Sequence, residues 1–255
     1  MAAMKKIAIL TSGGDSPGMN AAIRAVARSA VAKDMEAVGI MRGFEGLLEG
    51  DFRPLGARDV GGIIHRGGTI LQTARSSRFM EPQWQDRAAD NLLGAGIQGL
   101  AVIGGGGSFQ GARELQKRGV AVAGIPGTID NDIAGTELSI GFRTAVETAL
   151  DAVMRLRDTA SSHDRLFIVE VMGGRSGFLA LDVAVAGGAE AVIVPEVQFS
   201  LGRLIDRLHE ARKKGKTHSL IILAEGVMPA RELRDRIQDT AGYDARVTVL
   251  GHIQR

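Results

Sequence analysis

The 255-residue chain contains no cysteine, one tryptophan and one tyrosine. Without cysteine it can form no disulfide and use no thiolate, which is compatible with a reducing compartment. No apolar run approaches the roughly 18 residues of a membrane-spanning helix. The short apolar run at residues 7–10 is followed at once by Ser12, Gly13, Gly14 and Asp15, unlike the longer apolar region of a signal peptide. We therefore expect a cytoplasmic protein with no membrane partner.

The charge balance also excludes a common class of partner. The net charge is only +2, and a single tryptophan and a single tyrosine offer no platform on which bases could stack, so we expect no nucleic-acid partner. Many arginines instead lie beside glycine-rich loops, a placement that suits bidentate recognition of small phosphates.

Four loops rich in glycine or polar residues each follow a short apolar, strand-like run. This strand-loop-helix rhythm predicts a doubly wound α/β fold, in which ligands bind beyond the carboxyl ends of the strands. Asp, Asn, Thr and Gly are also ordinary turn residues, but four consecutive glycines are costly in entropy and favour a functional loop. The spacings match neither G-x-G-x-x-G nor the Walker A pattern. The loops lie at residues 11–20, 104–108, 126–132 and 171–177, and helical patterns at 21–31, 144–156 and 201–213.

The length favours two domains, because domains commonly contain about 100–200 residues. The character of the sequence changes near residues 135–141, where the acidic loop leads into a long helical pattern. We predict a nucleotide-binding subdomain over residues 1–140, including the acidic loop, and a substrate-binding subdomain over 141–255.

The same loops resemble bacterial ATP-dependent 6-phosphofructokinases in order along the whole chain. The matching strings are T-S-G-G-D-S-P-G-M-N at 11–20, P-G-T-I-D-N-D at 126–132, E-V-M-G at 170–173 and G-H-I-Q-R at 251–255. The resemblance implies two Rossmann-like subdomains with the active site between them, and phosphorylation of the 1-hydroxyl of fructose 6-phosphate by ATP with Mg²⁺. It also implies a homotetramer whose active sites are shared between subunits.

Residue roles follow from the resemblance, position by position. Asp130 corresponds to the general base, Thr128 helps to hold the sugar, Arg75 offsets charge in the transition state, and Asp132 lies near the metal. The expected ATP contacts are Gly13, Arg75, Ser76, Gly105, Gly106, Gly107 and Ser108. The expected sugar-phosphate contacts are Thr128, Ile129, Asp130, Met172, Gly173, Gly174, Glu225, His252, Ile253, Gln254 and Arg255, with Arg165 and Arg246 from a neighbouring subunit.

An allosteric site is also implied, for ADP, GDP or phosphoenolpyruvate. For Arg24 and Arg28, four residues apart on a helix, a solvated helix face is the stronger alternative. The expected effector contacts are Arg24, Arg28, Arg157, Gly188, Ala189, Glu190, Lys214, Lys216, Thr217 and His218.

Three departures from the family pattern affect these expectations. Gly106 stands where the family has a metal-site Asp, which predicts weaker metal binding and lower activity. The family's M-G-R reads Met172-Gly173-Gly174, with Arg175 one place later. The chain also stops at Arg255, inside the sugar-binding string, so we expect a C-terminally truncated chain.

The donor is expected to be ATP rather than pyrophosphate, because Gly107 and Gly127 stand where pyrophosphate-dependent relatives tend to carry Asp and Lys. Two other classes stay open. A catalytically weak or dead paralogue that binds sugar phosphate or effector nucleotide would explain Gly106. A nicotinamide-dependent oxidoreductase would share the α/β rhythm, but no G-x-G-x-x-G follows the first strand.

Overall fold

The computed structural model describes residues 4–163 and 165–255, which separate into two compact units. Unit 1 contains the described residues up to Thr128 together with Ile133–Gly141, and unit 2 contains Ile129–Asp132 and Phe142–Arg255. The sequence prediction had assigned the whole acidic loop to the first subdomain. Its centre belongs to unit 2 because Ile129, 4% exposed, lies in that unit's hydrophobic core and the Ser176 hydroxyl donates to the Asp130 carbonyl at 2.8 Å.

Unit 1 contains a six-stranded sheet in the order β3-β2-β1-β4-β5-β6. Only the β2–β3 pair is antiparallel. Such a parallel sheet needs helical crossovers that cover its faces. Its strands are β1 Lys6–Thr11, β2 Glu36–Ile40, β3 Phe52–Pro54, β4 Gly99–Gly104, β5 Ala121–Thr128 and β6 Ile140–Gly141. Its helices are α1 Met19–Val31, α2 Gly43–Glu49, α3 Pro82–Gly94 and α4 Gly106–Gln116, with a 3₁₀ turn at Arg78–Met80.

Alternating side chains of the central strands build two core layers in unit 1. Ala8 and Leu10 of β1 pack with residues of α2, α3 and α4, whereas Ile9 packs with residues of α1. Because successive residues of a strand point to opposite faces, both faces of this sheet are buried.

Unit 2 contains a four-stranded, fully parallel sheet in the order β10-β7-β9-β8. Phe167 and Val169 pack with α5 and α6, whereas Leu166 and Ile168 pack with α7 and α8. The strands are β7 Leu166–Val171, β8 Ala191–Ile193, β9 Ser219–Ala224 and β10 Ala245–Val249. The helices are α5 Phe142–His163, α6 Phe178–Gly187, α7 Leu201–Lys213 and α8 Ala230–Ala241, with a 3₁₀ turn at Gly251–Gln254.

The predicted α/β class with parallel sheets is confirmed, and two local predictions need correction. Strand β5 continues through Pro126, which pairs with Gly104, and ends at Thr128, so the acidic loop starts three residues later than the sequence suggested. Gly106 and Gly107 lie in the first turn of α4 rather than in a loop. Over the described residues, no helix combines the length and apolar character needed to cross a bilayer.

Candidate active site

The two glycine-rich loops of unit 1 meet where its strand order reverses. Strand β1 leads through α1 to β2 on one side, and the adjacent β4 leads through α4 to β5 on the other. A crevice opens beyond the carboxyl ends of two such strands, and open α/β sheets bind ligands there. The loops are held together by the Ser12 amide, which donates to the Ile103 carbonyl at 3.1 Å. The predicted nucleotide loops therefore occupy the ligand-binding edge of unit 1.

Glycine is required at two positions of this edge. A Cβ on Gly104 would lie 2.5 Å from Ser108 Oγ and 2.6 Å from the Ser12 carbonyl oxygen, so no side chain fits. Gly13 has a φ of 86°, a conformation that other residues rarely adopt. These glycines let the backbone of both loops approach a ligand closely.

The start of α4 adds backbone donors to the same edge. Its N-cap is Gly105, no side chain caps the helix, and its first turn carries no acidic residue. The first amides of a helix have no partner within the helix and lie at its positive end, which favours an anion. Ser108 is 5% exposed on this first turn. The predicted ATP contacts Gly105–Ser108 thus lie together at the start of α4, and their binding of phosphate stays a prediction.

Arg75 and Ser76 lie in a segment that precedes the 3₁₀ turn at Arg78–Met80. Arg75 is exposed, and Ser76 Oγ accepts a hydrogen bond from the Phe79 amide at 3.3 Å. An exposed guanidinium can reach phosphate oxygens in a bidentate manner. Its contact with ATP stays a prediction.

Gly106, unlike Gly104, has space around it. A Cβ there would meet only Ile133 Cδ1, at 3.8 Å, and its φ is not positive. Packing therefore does not dictate glycine at the position where the family carries a metal-site carboxylate.

In unit 2, the loops after β7 and β9 are tied together by a carboxylate. Glu225, directly after β9, accepts hydrogen bonds at Oε1 from the amides of Gly173 at 3.3 Å and Gly174 at 3.0 Å. The sequence had left open that Glu225 is a surface charge at a strand end. Glu225 is indeed exposed at that strand end, and its carboxylate also orders the backbone of the predicted sugar-phosphate loop.

Gln254 supports the same loop from the C-terminal 3₁₀ turn. It is 1% exposed, and its Oε1 accepts a hydrogen bond from the Met172 amide at 2.9 Å. The neighbouring Ile253 is 72% exposed, and the exposed His252 contacts the Arg255 guanidinium through Nδ1. Gln254 therefore acts on the loop backbone, and the sequence alternative of a buried His252 is wrong.

Asp130 lies beside this loop within unit 2. A Cβ on Gly174, whose φ is 58°, would come within 3.1 Å of Asp130 Oδ2. Burial raises the pKa of the Asp130 carboxyl, and the nearby Asp132 and Glu225 carboxylates raise this pKa further, while Arg255 lowers it. The sequence prediction assumed an unshifted pKa, which desolvation and like charges overturn. Ser176, which sequence reasoning did not assign, fixes the Asp130 backbone.

The two arginines expected from a neighbouring subunit lie close together in unit 2. Arg165 directly precedes β7, and Arg246 lies on β10. Arg165 Nε lies 3.5 Å and Arg246 Nη2 lies 3.1 Å from Asp244 Oδ2. Sequence reasoning missed Asp244, although its place two residues before Arg246 puts it on the same side of the strand. The pair of guanidinium groups forms a cationic cluster with one carboxylate at its centre.

The predicted effector residues fall into both units. In unit 1, Arg24 Nη1 donates to the Val60 carbonyl at 2.6 Å, and Arg28 is exposed. In unit 2, Arg157 donates to the Gly187 carbonyl and, at 3.0 Å, to that of Gly188. The other predicted contacts in unit 2 are Gly188, Ala189, Glu190, Lys214, Lys216, Thr217 and His218. Of these, Glu190 bridges Lys216 Nζ and the Leu220 amide, each at 2.5 Å.

Comparison with known proteins identifies relatives along the whole chain. The family model for phosphofructokinase matches residues 6–255. The ATP-dependent 6-phosphofructokinases of Natranaerobius thermophilus and Clostridium tetani are each 54% identical over 252 residues, which span 99% of this chain and 79% of theirs.

Solved structures agree. A phosphofructokinase from Saccharomyces cerevisiae matches with a TM-score of 0.92 at 36% identity, covering 98% of this chain and 38% of that one. A pyrophosphate-dependent phosphofructokinase from Marinobacter aquaeolei has a TM-score of 0.83 at 22% identity, covering 99% of this chain and 69% of that one. The second likeness shows a shared fold alone.

Proposed function

This chain belongs to the phosphofructokinase family, and from that premise we propose that it transfers the γ-phosphate of ATP to the 1-hydroxyl of fructose 6-phosphate. The products are fructose 1,6-bisphosphate and ADP. The observation that carries the proposal is Asp130, a carboxylate of raised pKa that lies beside the Gly173–Gly174 backbone in the family's most specific string.

Asp130 serves as the general base. As the 1-hydroxyl oxygen attacks the γ-phosphorus, its proton moves to the Asp130 carboxylate, and the bond from the γ-phosphorus to the bridging oxygen of ADP breaks. Phosphoryl transfer needs alignment and charge neutralisation more than covalent catalysis. The raised pKa makes this carboxylate a stronger base than an ordinary Asp.

The nucleotide phosphates bind at the ligand-binding edge of unit 1. Backbone amides at Gly13 and in the first turn of α4 supply fixed donors, and Arg75 offsets the charge that spreads over the γ-phosphate. Gly107 and Gly127 favour ATP over pyrophosphate as the donor, as in the ATP-dependent relatives.

The donor set fits a magnesium ion that arrives with ATP. No cluster of three His, Cys, Asp or Glu side chains suited to a metal occurs in the described part of the chain. Mg²⁺ commonly uses one or two carboxylates and completes its shell with phosphates and water. Asp132, exposed two residues after Asp130, would hold it. Bound Mg²⁺ offsets negative charge on the phosphates.

Fructose 6-phosphate is held by the loops of unit 2 and by the 3₁₀ turn, with the 6-phosphate on Arg165 and Arg246 of a second copy in a homotetramer. The residues proposed for the sugar and its position are Thr128, Ile129, Met172, Gly173, Gly174, Glu225, His252, Ile253, Gln254 and Arg255. Mixing Arg165→Ser chains with Asp130→Asn chains tests the sharing, because hybrids with shared sites regain activity. Hybrids that stay inactive would indicate sites built within one chain.

The effector residues bind ADP, GDP or phosphoenolpyruvate, since their cationic groups suit phosphates. Titrating each effector against wild type and Arg157→Ala distinguishes the three. We propose a cytoplasmic location as well, because ATP and sugar phosphates are available in that compartment.

A second candidate is a weak or inactive paralogue that binds the sugar phosphate or an effector nucleotide. Gly106 favours it, because the missing carboxylate is not explained by packing. One coupled assay separates the candidates: purified chain with fructose 6-phosphate, ATP and Mg²⁺, with calorimetric binding in parallel. Turnover supports the kinase, binding of fructose 6-phosphate or effector without turnover supports the paralogue, and neither binding nor turnover overturns both.

A further inference from the structure

Arg75 lies in a long segment without helix or strand. This segment begins after β3, which ends at Pro54, and ends at the 3₁₀ turn Arg78–Met80. Residues before Arg75 are nevertheless fixed. Asn20 Nδ2 donates to the carbonyls of Arg66 at 3.0 Å and Gly67 at 3.1 Å, and its Oδ1 accepts from the Ile70 amide at 2.8 Å.

Two more contacts fix the next residues. Thr11 Oγ1, at the end of β1, donates to the Gln72 carbonyl at 3.0 Å, and the Arg42 amide donates to the Leu71 carbonyl at 2.8 Å. The approach to Arg75 is thus tied to β1 and to the start of α2.

After Arg75, the carboxylate of Glu45 contacts two nearby residues of the same segment, Ser76 and Arg78. Glu45, in the first turn of α2, is bonded to the Arg78 guanidinium, and its side chain is only 21% exposed. A hydrogen bond from Ser76 and then the contact with Arg78 lower the pKa of Glu45. The residue directly after Arg75 and the residue three places on therefore share a single anchor.

A neighbouring aromatic ring extends this anchor. The Arg78 guanidinium lies 5.1 Å from the ring centre of Trp84, at a distance suited to a cation–π contact. Trp84 is the only tryptophan in the chain, so tryptophan fluorescence reports on the surroundings of this ring, which the Arg87 guanidinium also approaches, at 5.5 Å from the ring centre.

We propose that Glu45 is a positioning residue for Arg75 and so sets the affinity of the site for the phosphates of ATP. The proposal rests on the proposed function. A long, exposed arginine contributes to phosphate binding only if its backbone is held in place, because fixing it at the moment of binding costs entropy. A carboxylate is the group that can accept from both Ser76 and Arg78, since ionised Glu is acceptor-only.

The test combines Glu45→Gln, Arg75→Ala and the double variant, with MgATP affinity measured by calorimetry. We expect Glu45→Gln to weaken MgATP binding ~5- to 10-fold, as for loss of a charge-assisted hydrogen bond, and to leave fructose 6-phosphate affinity unchanged. In the Arg75→Ala background the same substitution is expected to have an effect below ~2-fold, because coupled residues are not additive. Glu45→Asp, which keeps the charge, is expected to recover part of the affinity.

The matched control is Glu114→Gln, which removes another carboxylate of lowered pKa from unit 1: Glu114 lies on α4 and pairs with Lys117, the residue after that helix. It is expected to change neither MgATP affinity nor Trp84 emission, whereas Glu45→Gln shifts that emission.

Three outcomes would count against the proposal. If the unchanged chain binds MgATP and Glu45→Gln binds it equally well, Glu45 does not position Arg75. Equal losses with and without Arg75 would make Glu45 a general structural residue. Failure of the unchanged, folded chain to bind MgATP would overturn the proposed function and this inference with it.

Discussion

The two units offer anions different kinds of partner. Unit 1 presents backbone: Gly13 at positive φ, Gly104 without room for a side chain, and the uncapped first turn of α4. Unit 2 presents side chains that already have partners, such as Arg165 and Arg246 on Asp244. The proposed phosphate site of unit 1 is therefore fixed largely by the fold of the backbone, whereas the arginine cluster of unit 2 depends on a balance of charges.

This contrast has an energetic meaning. Backbone amides cost no reorganisation when charge develops, so substitutions of the glycines that shape the loops, Gly13 and Gly104, act through shape. Ion-paired arginines must exchange one anion for another, and exposed pairs of this kind are worth only about 0–1 kcal/mol. Changes in unit 2 therefore act through charge, and the residue with the largest effect there is Asp130.

The largest expected effect comes from removing the base. Asp130→Asn keeps the shape of the side chain and removes its basicity, so turnover is expected to fall ~100-fold or more with the KM for fructose 6-phosphate largely retained. Steady-state kinetics measure it. Asp239→Asn, an exposed carboxylate on α8 with no assigned role, serves as control. Unchanged turnover would remove Asp130 from the mechanism.

The next effect tests the role of shape in unit 1. In Gly104→Ala the new methyl meets Ser108 Oγ and the Ser12 carbonyl at 2.5–2.6 Å, and such overpacking typically costs about 1–3 kcal/mol of folding free energy. Denaturant unfolding measures the loss. Gly94→Ala, at the end of α3 with nothing within 4 Å of the new methyl, is the matched control. Equal stability of the two variants would show that the loop yields readily.

A third substitution adds a negative charge to the first turn of α4, where no acidic side chain lies. Gly106→Asp fits sterically at the first position of α4. We expect it to lower the apparent magnesium requirement severalfold and to raise phosphoryl transfer. Calorimetry with MgADP and with ADP alone separates metal from nucleotide: binding without metal is expected to stay the same or to weaken, because the carboxylate then repels phosphate. Gly106→Asn controls for shape. If magnesium dependence and rate both stay constant, Gly106 causes no deficit.

A smaller change tests the charge balance of unit 2. Asp244→Asn removes the carboxylate that Arg165 and Arg246 share, so fructose 6-phosphate is expected to bind ~2- to 5-fold more tightly, within the range of exposed ion pairs. Its KM is the measured quantity. Asp235→Asn breaks a comparable exposed pair with Arg234 and is expected to leave that KM unchanged. A higher KM in Asp244→Asn would mean that the carboxylate orients the arginines instead of competing for them.

The smallest effect concerns stability and pH. The pKa of Asp130 is raised in the folded state, so its ionised form destabilises the fold above the unfolded pKa of about 3.9. Asp130→Asn is therefore expected to be more stable than wild type at neutral pH, with the gain shrinking as the pH falls through the raised pKa of the folded state and lost below about 3.9. Urea unfolding at several pH values measures it. A variant less stable than wild type at pH 7 would contradict the burial of this charge.

Sequence reasoning predicted the elements that carry strong local signals. Glycine runs and turn residues marked the loops after β1, β4 and β7, and helical spacing gave α7 its observed bounds. Helix α6 was not predicted, because its residues are almost all apolar and no apolar stripe at helical spacing stands out against polar positions. The contacts of Glu45 and Asp244 were not predicted for another reason. Their roles depend on contacts with residues up to 79 positions away in sequence, as Arg165 is from Asp244.

The path of the backbone has a further consequence. The chain leaves unit 1 after Thr128, returns at Ile133 and leaves again after Gly141. A single cut therefore cannot yield two intact halves: cleavage after Gly141 would strand Ile129, a member of the core of unit 2, on the wrong fragment. A fragment of residues 142–255 would therefore lack both Asp130 and the Ile129 side chain, and the missing Ile129 would leave a cavity in its core. Because the chain passes between the units three times over residues 128–142, any circular permutation or split-protein reporter of this enzyme must leave those residues uncut.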